Sequence, residues 1–164
     1  MLPQNISLKA ISQDDLNFLF QVYASTREDE LNQTDWSDKQ KLDFLTMQFN
    51  AQHKQYMENY QDKQFSLILF QGTPVGRLFL NRAHTEIRIV DIAILKEYRG
   101  QGIGSSLLNE ILQEGDCTNK VVSIHVERSN PALHLYQRLG FHVTADREVY
   151  HFMERLPASV LPPK

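Results

Sequence analysis

Residues 92–104 read Ile-Ala-Ile-Leu-Lys-Glu-Tyr-Arg-Gly-Gln-Gly-Ile-Gly, and here an apolar strand pattern passes directly into a glycine-rich turn. Apolar residues then recur at helical spacing, at Leu107, Leu108, Ile111 and Leu112. A glycine turn at the start of a helix gathers unpaired backbone N–H groups at the positive end of the helix dipole. Chemistry alone therefore predicts a phosphate site in this segment, with a purely structural tight turn as the alternative.

The glycines and one arginine of this turn suit a phosphate ligand, but not every kind of nucleotide. Gly100, Gly102 and Gly104 let the backbone turn sharply and approach a ligand, and Arg99 can donate charge-assisted hydrogen bonds to phosphate. A P-loop needs a lysine after its glycines, and a dinucleotide fingerprint needs the spacing Gly-x-Gly-x-x-Gly. Neither is present, so a nucleotide-binding protein is only the third hypothesis.

The strand that precedes the turn changes its alternation. Apolar side chains occupy odd positions at Ile87 and Ile89, whereas Val90, Ile92 and Ile94 occupy even positions. A strand keeps one buried face through such a slip only if one residue is inserted, which predicts a β-bulge near residues 89–91. The alternative is a central strand that is buried on both faces.

The rest of the pattern predicts an α/β (α+β) protein with a mixed, mostly antiparallel central sheet of about seven strands and helices on both faces. Capping boxes at Ser12–Asp15 and Ser37–Gln40 introduce two helices. The crossover between residues 86 and 126 should be parallel and right-handed. Strands are predicted at 6–10, 65–69, 75–82, 86–95, 122–126, 141–146 and 148–156, with a helix ending at Gly115 and a last helix running from Asn130-Pro131 to Gly140.

Length and composition favour one globular domain. The 164 residues are 41% hydrophobic and carry a net charge of −3, so no basic excess points to nucleic acid or to an anionic membrane. No apolar run approaches the roughly 18 residues that span a membrane, and the first residues lack a signal-peptide pattern. We therefore expect a cytoplasmic protein with one domain at residues 1–156 and a flexible tail at 157–164.

The segment Arg99-x-x-Gly102-x-Gly104 resembles the Arg/Gln-x-x-Gly-x-Gly/Ala motif of the GNAT acyltransferase superfamily, and it lies between a strand and a helix as in that family. A second family-like segment, Asn-Pro-Ala-Leu-His-Leu-Tyr-Gln-Arg-Leu-Gly-Phe at 130–141, follows at the expected distance. The element order also fits, so the resemblance covers nearly the whole chain. It implies a GNAT-like fold and an N-acetyltransferase that moves an acetyl group from acetyl-CoA to a primary amine.

The resemblance also implies how the cosubstrate would be held. Backbone N–H groups of the loop would bind the coenzyme A pyrophosphate, and the strand before it would pair with the pantetheine arm. That pairing requires the strand to diverge from residues 123–127, and an N–H near Ile94 would polarise the thioester carbonyl. Asn130 would contact the cofactor arm, or it would only cap its helix. Both alternatives stay open because the family often places this Asn seven residues before the Tyr, whereas here the interval is six and Ser129 holds the other position. The full set of expected cofactor-binding residues is Ile92, Ala93, Ile94, Arg99, Gly100, Gln101, Gly102, Ile103, Gly104 and Asn130.

Tyr136 matches the family's usual general acid. A neutral tyrosine, with a pKa of about 10, can donate to a departing thiolate whose conjugate acid has a pKa of about 8.5; the alternative is that Tyr136 only packs. The attacking amine must lose a proton, for which His125, Glu127 and a water relay are candidates. Arg88 and Asp91 flank the expected bulge.

The partner classes follow from the same resemblance. The acceptor is expected to be a small-molecule or peptide amine recognised by residues 27–60 and the terminal hairpin, and a homodimer is common in the family. We expect no metal, because His134, His142 and His151 share no metal-binding spacing. A non-catalytic acyl-CoA-binding sensor or structural module is the alternative function.

Overall fold

The computed structural model describes residues 2–128, 130–146 and 150–158. The element order is the predicted one, with two short 3-10 turns at Gln13–Asp15 and Lys96–Tyr98. The strands and helices are β1 (Ile6–Ala10), α1 (Leu16–Asn32), α2 (Asp38–Asn59), β2 (Lys63–Phe70), β3 (Thr73–Arg82), β4 (Glu86–Ile94), α3 (Ile103–Thr118), β5 (Val121–Glu127), α4 (Leu133–Arg138), β6 (His142–Asp146) and β7 (Tyr150–Arg155).

The seven strands form one sheet in the order β1-β2-β3-β4-β5-β7-β6. Every neighbouring pair is antiparallel except β4 and β5, which are parallel and are joined through α3. The predicted fold class and the parallel crossover are therefore confirmed. None of the helices in the described ranges is long and apolar enough to cross a membrane.

Each face of the sheet has its own core. On one face, α1 and α2 pack Leu19, Tyr23 and Phe49 against Phe65 and Phe79 of the sheet. On the other face, the larger cluster joins α3 and α4 to β3, β4, β5 and β7 through Leu78, Ile87, Ile89, Ile103, Leu107, Leu108, Ile111, Val122, Ile124, Tyr136 and Met153. The two clusters explain why strands in the middle of the sheet are apolar on both sides.

The first two helices are introduced by the predicted capping boxes. The Ser37 hydroxyl accepts the Gln40 N–H at 3.1 Å, and the Gln40 side chain accepts the Ser37 N–H at 2.8 Å. The Asp15 carboxylate likewise accepts the Ser12 N–H at 2.9 Å. Each box satisfies N–H groups that a helix start leaves unpaired, although the turn after Ser12 is a 3-10 turn that leads into α1.

The predicted end of α3 at Gly115 is wrong. The helix continues to Thr118 and is closed by Asn119, which adopts the left-handed conformation with φ 56°. Gly115 lies inside the helix, where a Cβ would be 2.9 Å from Val122 Cγ2 and 3.1 Å from the Lys120 carbonyl oxygen. The glycine therefore permits close packing of α3 on β5. In the sequence, a glycine needed for packing cannot be distinguished from a glycine that ends a helix.

The expected β-bulge is present in β4. Ile89 lies opposite Leu80 and Asp91 lies opposite Phe79, so Val90 is the extra residue. Because of this insertion, Val90 packs against the α1–α2 cluster while its neighbour Asp91 contacts Tyr56 of α2. Two consecutive side chains thus reach the same face of the sheet.

The chain beyond β7 packs on α3. The Ala158 N–H donates to Asp116 Oδ1 at 2.8 Å, and Arg155 also pairs with this carboxylate. Pro157 is buried. Residues 159–164, which make up most of the expected tail, lie outside the described residues.

Gly76→Ala should destabilise the protein by moving β4. A Cβ on Gly76 would lie 2.2 Å from the Ala93 carbonyl oxygen, which belongs to the backbone and cannot rotate away. We expect the free energy of unfolding to fall by about 1–3 kcal/mol, the usual range for overpacking, measured by urea denaturation.

Gly104→Ala is the matched control for this variant. Its Cβ would meet only the movable Cδ1 of Ile94, at 3.4 Å, so the unfolding midpoint should stay close to that of the wild type. Equal unfolding midpoints for the two variants would show that β4 can move to accommodate a Cβ at Gly76 without loss of stability.

Candidate active site

The parallel pair of β4 and β5 opens halfway along its length. The two strands are paired only from Glu86–Ile89 to Val121–Ile124. Beyond this, β4 stays paired with β3 and β5 stays paired with β7. Within the described residues no pairing joins 90–94 to 125–127, so a cleft separates the two strands. The bulge at Val90 begins this divergence, because an inserted residue bends its strand and increases its twist.

The direction of the backbone groups at the end of β4 follows from one hydrogen bond. The Leu95 N–H donates to the Val75 carbonyl on β3 at 2.8 Å. Successive N–H groups of an extended chain point in opposite directions, so the N–H groups of Ile94 and Ile92 point away from β3 and into the cleft. The Ile94 carbonyl also points there, and it accepts a hydrogen bond from Arg99 Nε at 2.8 Å.

The glycine loop continues from this strand to the start of α3. Gly100 and Gly102 have φ of 77° and 83°, and no heavy atom lies within 4 Å of a Cβ placed on either. Gly102 is the N-cap of α3, and its carbonyl accepts the first helical hydrogen bond from the Ser106 N–H at 3.0 Å. The N–H groups of Ile103 and of the next two residues therefore have no acceptor within the helix. The loop can accommodate an anion at a helix N-terminus.

Two side chains of the loop bond to the protein backbone. Arg99 ties the loop to the Ile94 carbonyl, as described, and Gln101 Nε2 donates to the Glu97 carbonyl at 3.4 Å. Ile103 is buried in the core beneath the loop. Because both side chains are engaged with the backbone, these residues are expected to bind phosphate through their backbone N–H groups. Direct binding of phosphate by the Arg99 side chain stays a prediction.

Tyr136 lies on α4 and is 5% exposed. Its ring packs edge-on against Phe141, with the centroids 5.8 Å apart. Burial and, next, the negative charge of Asp91 raise the pKa of Tyr136 to about 12. The phenol therefore keeps its proton at neutral pH, as a general acid must, and it is also part of the core.

Asn130 occupies the turn before α4. Its Oδ1 accepts the Ala132 N–H at 2.8 Å. The helix itself begins at Leu133, so Pro131 lies in the preceding turn and not at the first helical position as predicted. The hydrogen bond from the Ala132 N–H gives Asn130 a structural role in the turn that leads into α4. A contact between Asn130 and the cofactor stays a prediction. Ser129 lies outside the described residues.

The two candidate bases of β5 have different surroundings. The exposed His125 ring lies against Phe152 of β7, with centroids 4.9 Å apart. The Glu127 carboxylate pairs with Arg27 of α1 at 3.2 Å. Glu127 therefore links the sheet to α1, and no signal in the sequence pointed to Arg27.

Sequence reasoning missed a buried polar cluster between α2 and the bulge. The Arg77 side chain is 3% exposed and pairs with the Asp91 carboxylate. Arg77 Nη2 also donates to Gln52 Oε1 at 3.0 Å, and the Tyr56 hydroxyl donates to Asp91 Oδ2 at 3.4 Å. An arginine inside the apolar run 75–80 was the available signal, because a buried charge needs a partner.

His53 of α2 lies beside this cluster. Burial and the positive charge of Arg77 lower the pKa of His53, so its neutral form is favoured. Its Nδ1 is buried without a hydrogen-bond partner among the described residues. Across the same residues, no group of three or more His, Cys, Asp or Glu side chains could hold a metal ion.

Comparison with known proteins identifies related sequences. The family model described as Acetyltransferase (GNAT) family matches residues 24–141. N-alpha-acetyltransferase 50 of Danio rerio is 30% identical over 92 residues, which cover 52% of this chain and 55% of that protein. The chain thus matches about half the length of this curated relative.

Solved structures share the fold over nearly the whole chain. The PaiA N-acetyltransferase of Thermoplasma acidophilum in complex with coenzyme A matches with a TM-score of 0.68 and 19% identity, over 92% of this chain and 98% of that one. An acetyltransferase of Thermus thermophilus gives 0.68 and 17%, over 95% and 99%. Arabidopsis thaliana Naa50 in complex with the bisubstrate analogue CoA-Ac-MVNAL gives 0.60 and 19%, over 92% and 98%.

The raised pKa of Tyr136 predicts a loss of stability at high pH. The folded protein holds the phenolic proton up to a pH of about 12, whereas an unfolded tyrosine releases it near pH 10, so the unfolded state gains stability between these values. The free energy of unfolding should therefore fall more steeply above pH 10 in the wild type than in Tyr136→Phe, as measured by urea denaturation.

A second variant separates the two causes of this shift. Asp91→Asn removes the negative charge while burial stays, so the Tyr136 phenolate should appear at a lower pH in the ultraviolet difference spectrum. A Tyr136 midpoint near 10 in the wild type would show that neither burial nor Asp91 acts on the phenol.

Proposed function

Because the chain belongs to the Acetyltransferase (GNAT) family, we propose that it transfers an acetyl group from acetyl-CoA to a primary amine. The observation that carries the proposal is the open end of the β4–β5 pair, which leads into a glycine loop at the start of α3. An extended amide-containing arm needs backbone partners along its length, and a diphosphate needs N–H donors at its end. The cleft offers both in this order.

The residues present fit the cosubstrate. The N–H groups of Ile92 and Ile94 both point into the cleft, where that of Ile92 can pair with an amide carbonyl of the pantetheine arm and that of Ile94 is left for the thioester. Gly100 and Gly102 leave open space above the loop, where side chains would restrict the approach of a pyrophosphate. The N–H groups at the start of α3 then bind its negative charge.

Ile94 and Tyr136 act on two different atoms of the thioester, the carbonyl oxygen and the sulfur. The cosubstrate supplies an acetyl thioester. When the amine nitrogen bonds to the carbonyl carbon, the Ile94 N–H stabilises the charge that develops on the oxygen. Removing one donor of this kind from an enzyme typically raises the activation free energy by about 2.7–4 kcal/mol. As the carbon–sulfur bond breaks, the neutral Tyr136 hydroxyl donates its hydrogen to the sulfur. The nitrogen loses one proton to water as it becomes an amide, and water returns one to the Tyr136 oxygen.

The named relatives support a peptide amino terminus among the possible acceptors, because two of them are N-alpha-acetyltransferases or Naa50 proteins. We therefore propose an acceptor that is a primary amine on a peptide or a small molecule. A non-catalytic acyl-CoA-binding module would need the same cleft but no proton donor for the departing sulfur.

Tyr136→Phe tests the catalytic part of the proposal. The ring and its packing against Phe141 are retained while the hydroxyl is lost, so we expect kcat to fall by roughly 10²–10⁴-fold. The dissociation constant for coenzyme A, measured by calorimetry, should not change. Thiol release with acetyl-CoA and a panel of peptides, polyamines and amino acids supplies the rates.

The outcomes of this experiment separate the two functions. Coenzyme A binding without acetylation of any amine in the panel would favour the binding module. Acetylation at the wild-type rate by Tyr136→Phe would remove Tyr136 from the mechanism.

Gly102→Ala tests the loop, with Gly72→Ala as its matched control. The two glycines have nearly the same positive φ, 83° and 81°, and both have open space around a new Cβ. Each substitution should therefore cost about 1–2 kcal/mol of stability through backbone strain. Only Gly102→Ala should weaken coenzyme A binding, because Gly72 lies in the β2–β3 turn; equal affinities would argue against the loop as the pyrophosphate site.

A further inference from the structure

Two polar links span the opening between β4 and β5 on the α1–α2 face of the sheet. At the closed end, Arg88 Nε on β4 donates to the Ser123 hydroxyl on β5 at 2.7 Å (the lower link). At the open end, Arg27 Nη2 on α1 meets Glu127 Oε1 at 3.2 Å (the upper link). Glu127 is the last residue of β5, so the upper link lies beyond the point where the two strands stop pairing.

The upper link crosses the opening because its two residues belong to different sides of it. On β5, Glu127 alternates with Val126 and Ile124 in such a way that it points to the α1–α2 face, since Val126 and Ile124 lie in the core of the α3–α4 face. Helix α1 packs on β3 and β4, and Val90 of the bulge contacts the same cluster. Arg27 therefore reaches from the β4 side of the opening to β5.

Both arginines are held by further contacts. Arg27 Nη1 also bonds to Glu30 Oε1 at 3.2 Å, and the Arg27 guanidinium carbon lies 5.7 Å from the centroid of the buried Tyr23 ring. The Arg88 guanidinium carbon lies 5.0 Å from the centroid of the Phe152 ring. A lone surface ion pair is weak, whereas a guanidinium that is held on several sides keeps its position. The two links therefore form a frame around the opening.

The distance between the links limits the width of what passes between them. Ser123 and Glu127 are four residues apart on β5, which corresponds to about 13 Å at about 3.3 Å per residue. Non-bonded atoms stay about 3.5–4 Å from each link, which leaves roughly 5–6 Å for the atoms of a ligand. One extended chain fits, because neighbouring strands lie only about 4.7 Å apart, whereas an α-helix with its side chains is about 10–12 Å wide.

The frame lies on the side from which an acceptor can reach the thioester. The opposite face of the opening is covered by α3 and α4, where Ile103, Leu107 and Tyr136 are buried. The end toward the glycine loop holds the pyrophosphate in the proposed function. The α1–α2 face is thus the side that is left for the amine.

Resting on the proposed acetyl transfer, we propose that the two links frame the entrance for the acceptor and that Arg27 is a specificity-determining residue. The substrate class is amines at the end of a slender, extended chain, such as the amino terminus of an unfolded peptide or a linear polyamine. Amines on compact ring systems or on an ordered helix are too wide close to the nitrogen and are rejected.

The first test uses the wild-type protein and three versions of one amine. The reference is the unbranched amine with the highest turnover in the panel. One derivative carries a diphenylmethyl group beside the carbon that bears the nitrogen, and the other carries the same group at the far end of the chain. We expect kcat/KM of the first derivative to lie on the order of ten- to a hundredfold below the reference, a usual range for steric discrimination. The second derivative should match the reference, and equal values for the two derivatives would overturn the proposal.

The second test is Arg27→Ala, which removes one side of the frame. We expect kcat/KM of the first derivative to rise about tenfold relative to that of the reference amine, because the wide group then has room beside the nitrogen. A merely structural effect would change all three amines alike and would leave this ratio as it is in the wild type.

Arg82→Ala is the matched control. Arg82 and Glu114 also join a strand to a helix, and their exposed fractions of 32% and 31% are close to the 25% and 33% of Arg27 and Glu127. Arg82 lies opposite Ile87, in the part of the sheet where β4 and β5 are still paired, so its loss should leave the ratio unchanged. A thermal melt shows whether each variant is folded, and the comparison of the two derivatives on the wild type decides the proposal if Arg27→Ala is not.

The outcomes also separate this inference from the function on which it rests. Wild-type protein that acetylates no amine would refute the proposed function together with the frame. Acetylation of an amine on a compact ring system, such as an aminoglycoside, as fast as the unbranched amine would refute the frame alone. The same conclusion would follow if folded Arg27→Ala kept the wild-type ratio.

Discussion

The site depends on one inserted residue in a central strand. Val90 shifts the register of β4 against β3, and the parallel pairing with β5 ends at the residue before it. A regular parallel pair would use the backbone groups of both strands and would leave no edge for a ligand. Because β3 and β7 hold the outer edges of β4 and β5, the sheet tolerates this gap without losing either strand.

The same insertion explains the buried charges. It turns Asp91 toward α2, where the carboxylate meets Arg77 beneath the helix. A buried guanidinium without partners is costly. Here the Asp91 carboxylate, the Gln52 side chain and the ring face of Phe79, 5.1 Å from the guanidinium carbon, together compensate for the lost water. A buried ion pair is weak grounds for inferring stability.

The two faces of the sheet carry different parts of the proposed chemistry. The α3–α4 face supplies an apolar core, a glycine loop and a buried tyrosine that keeps its proton. The α1–α2 face supplies the charged groups, including Arg27, Glu127 and Asp91. The opening between β4 and β5 is where these two environments meet.

The sequence by itself determined the element order, the mixed sheet, the capping boxes and the glycine loop, because each depends on local periodicity or on residues adjacent in the chain. It left the bulge near residue 90 as one of two alternatives, between which the register of β4 against β3 decided. It failed at Gly115, since a packing glycine and a helix stop have the same local pattern. It also missed the cluster of Gln52, Tyr56, Arg77 and Asp91, whose bonded members lie 14 to 35 residues apart along the chain and meet only when α2 covers the sheet. Tertiary structure alone decided which charges are paired, because burial and ion pairing depend on neighbours that the linear order of residues does not reveal.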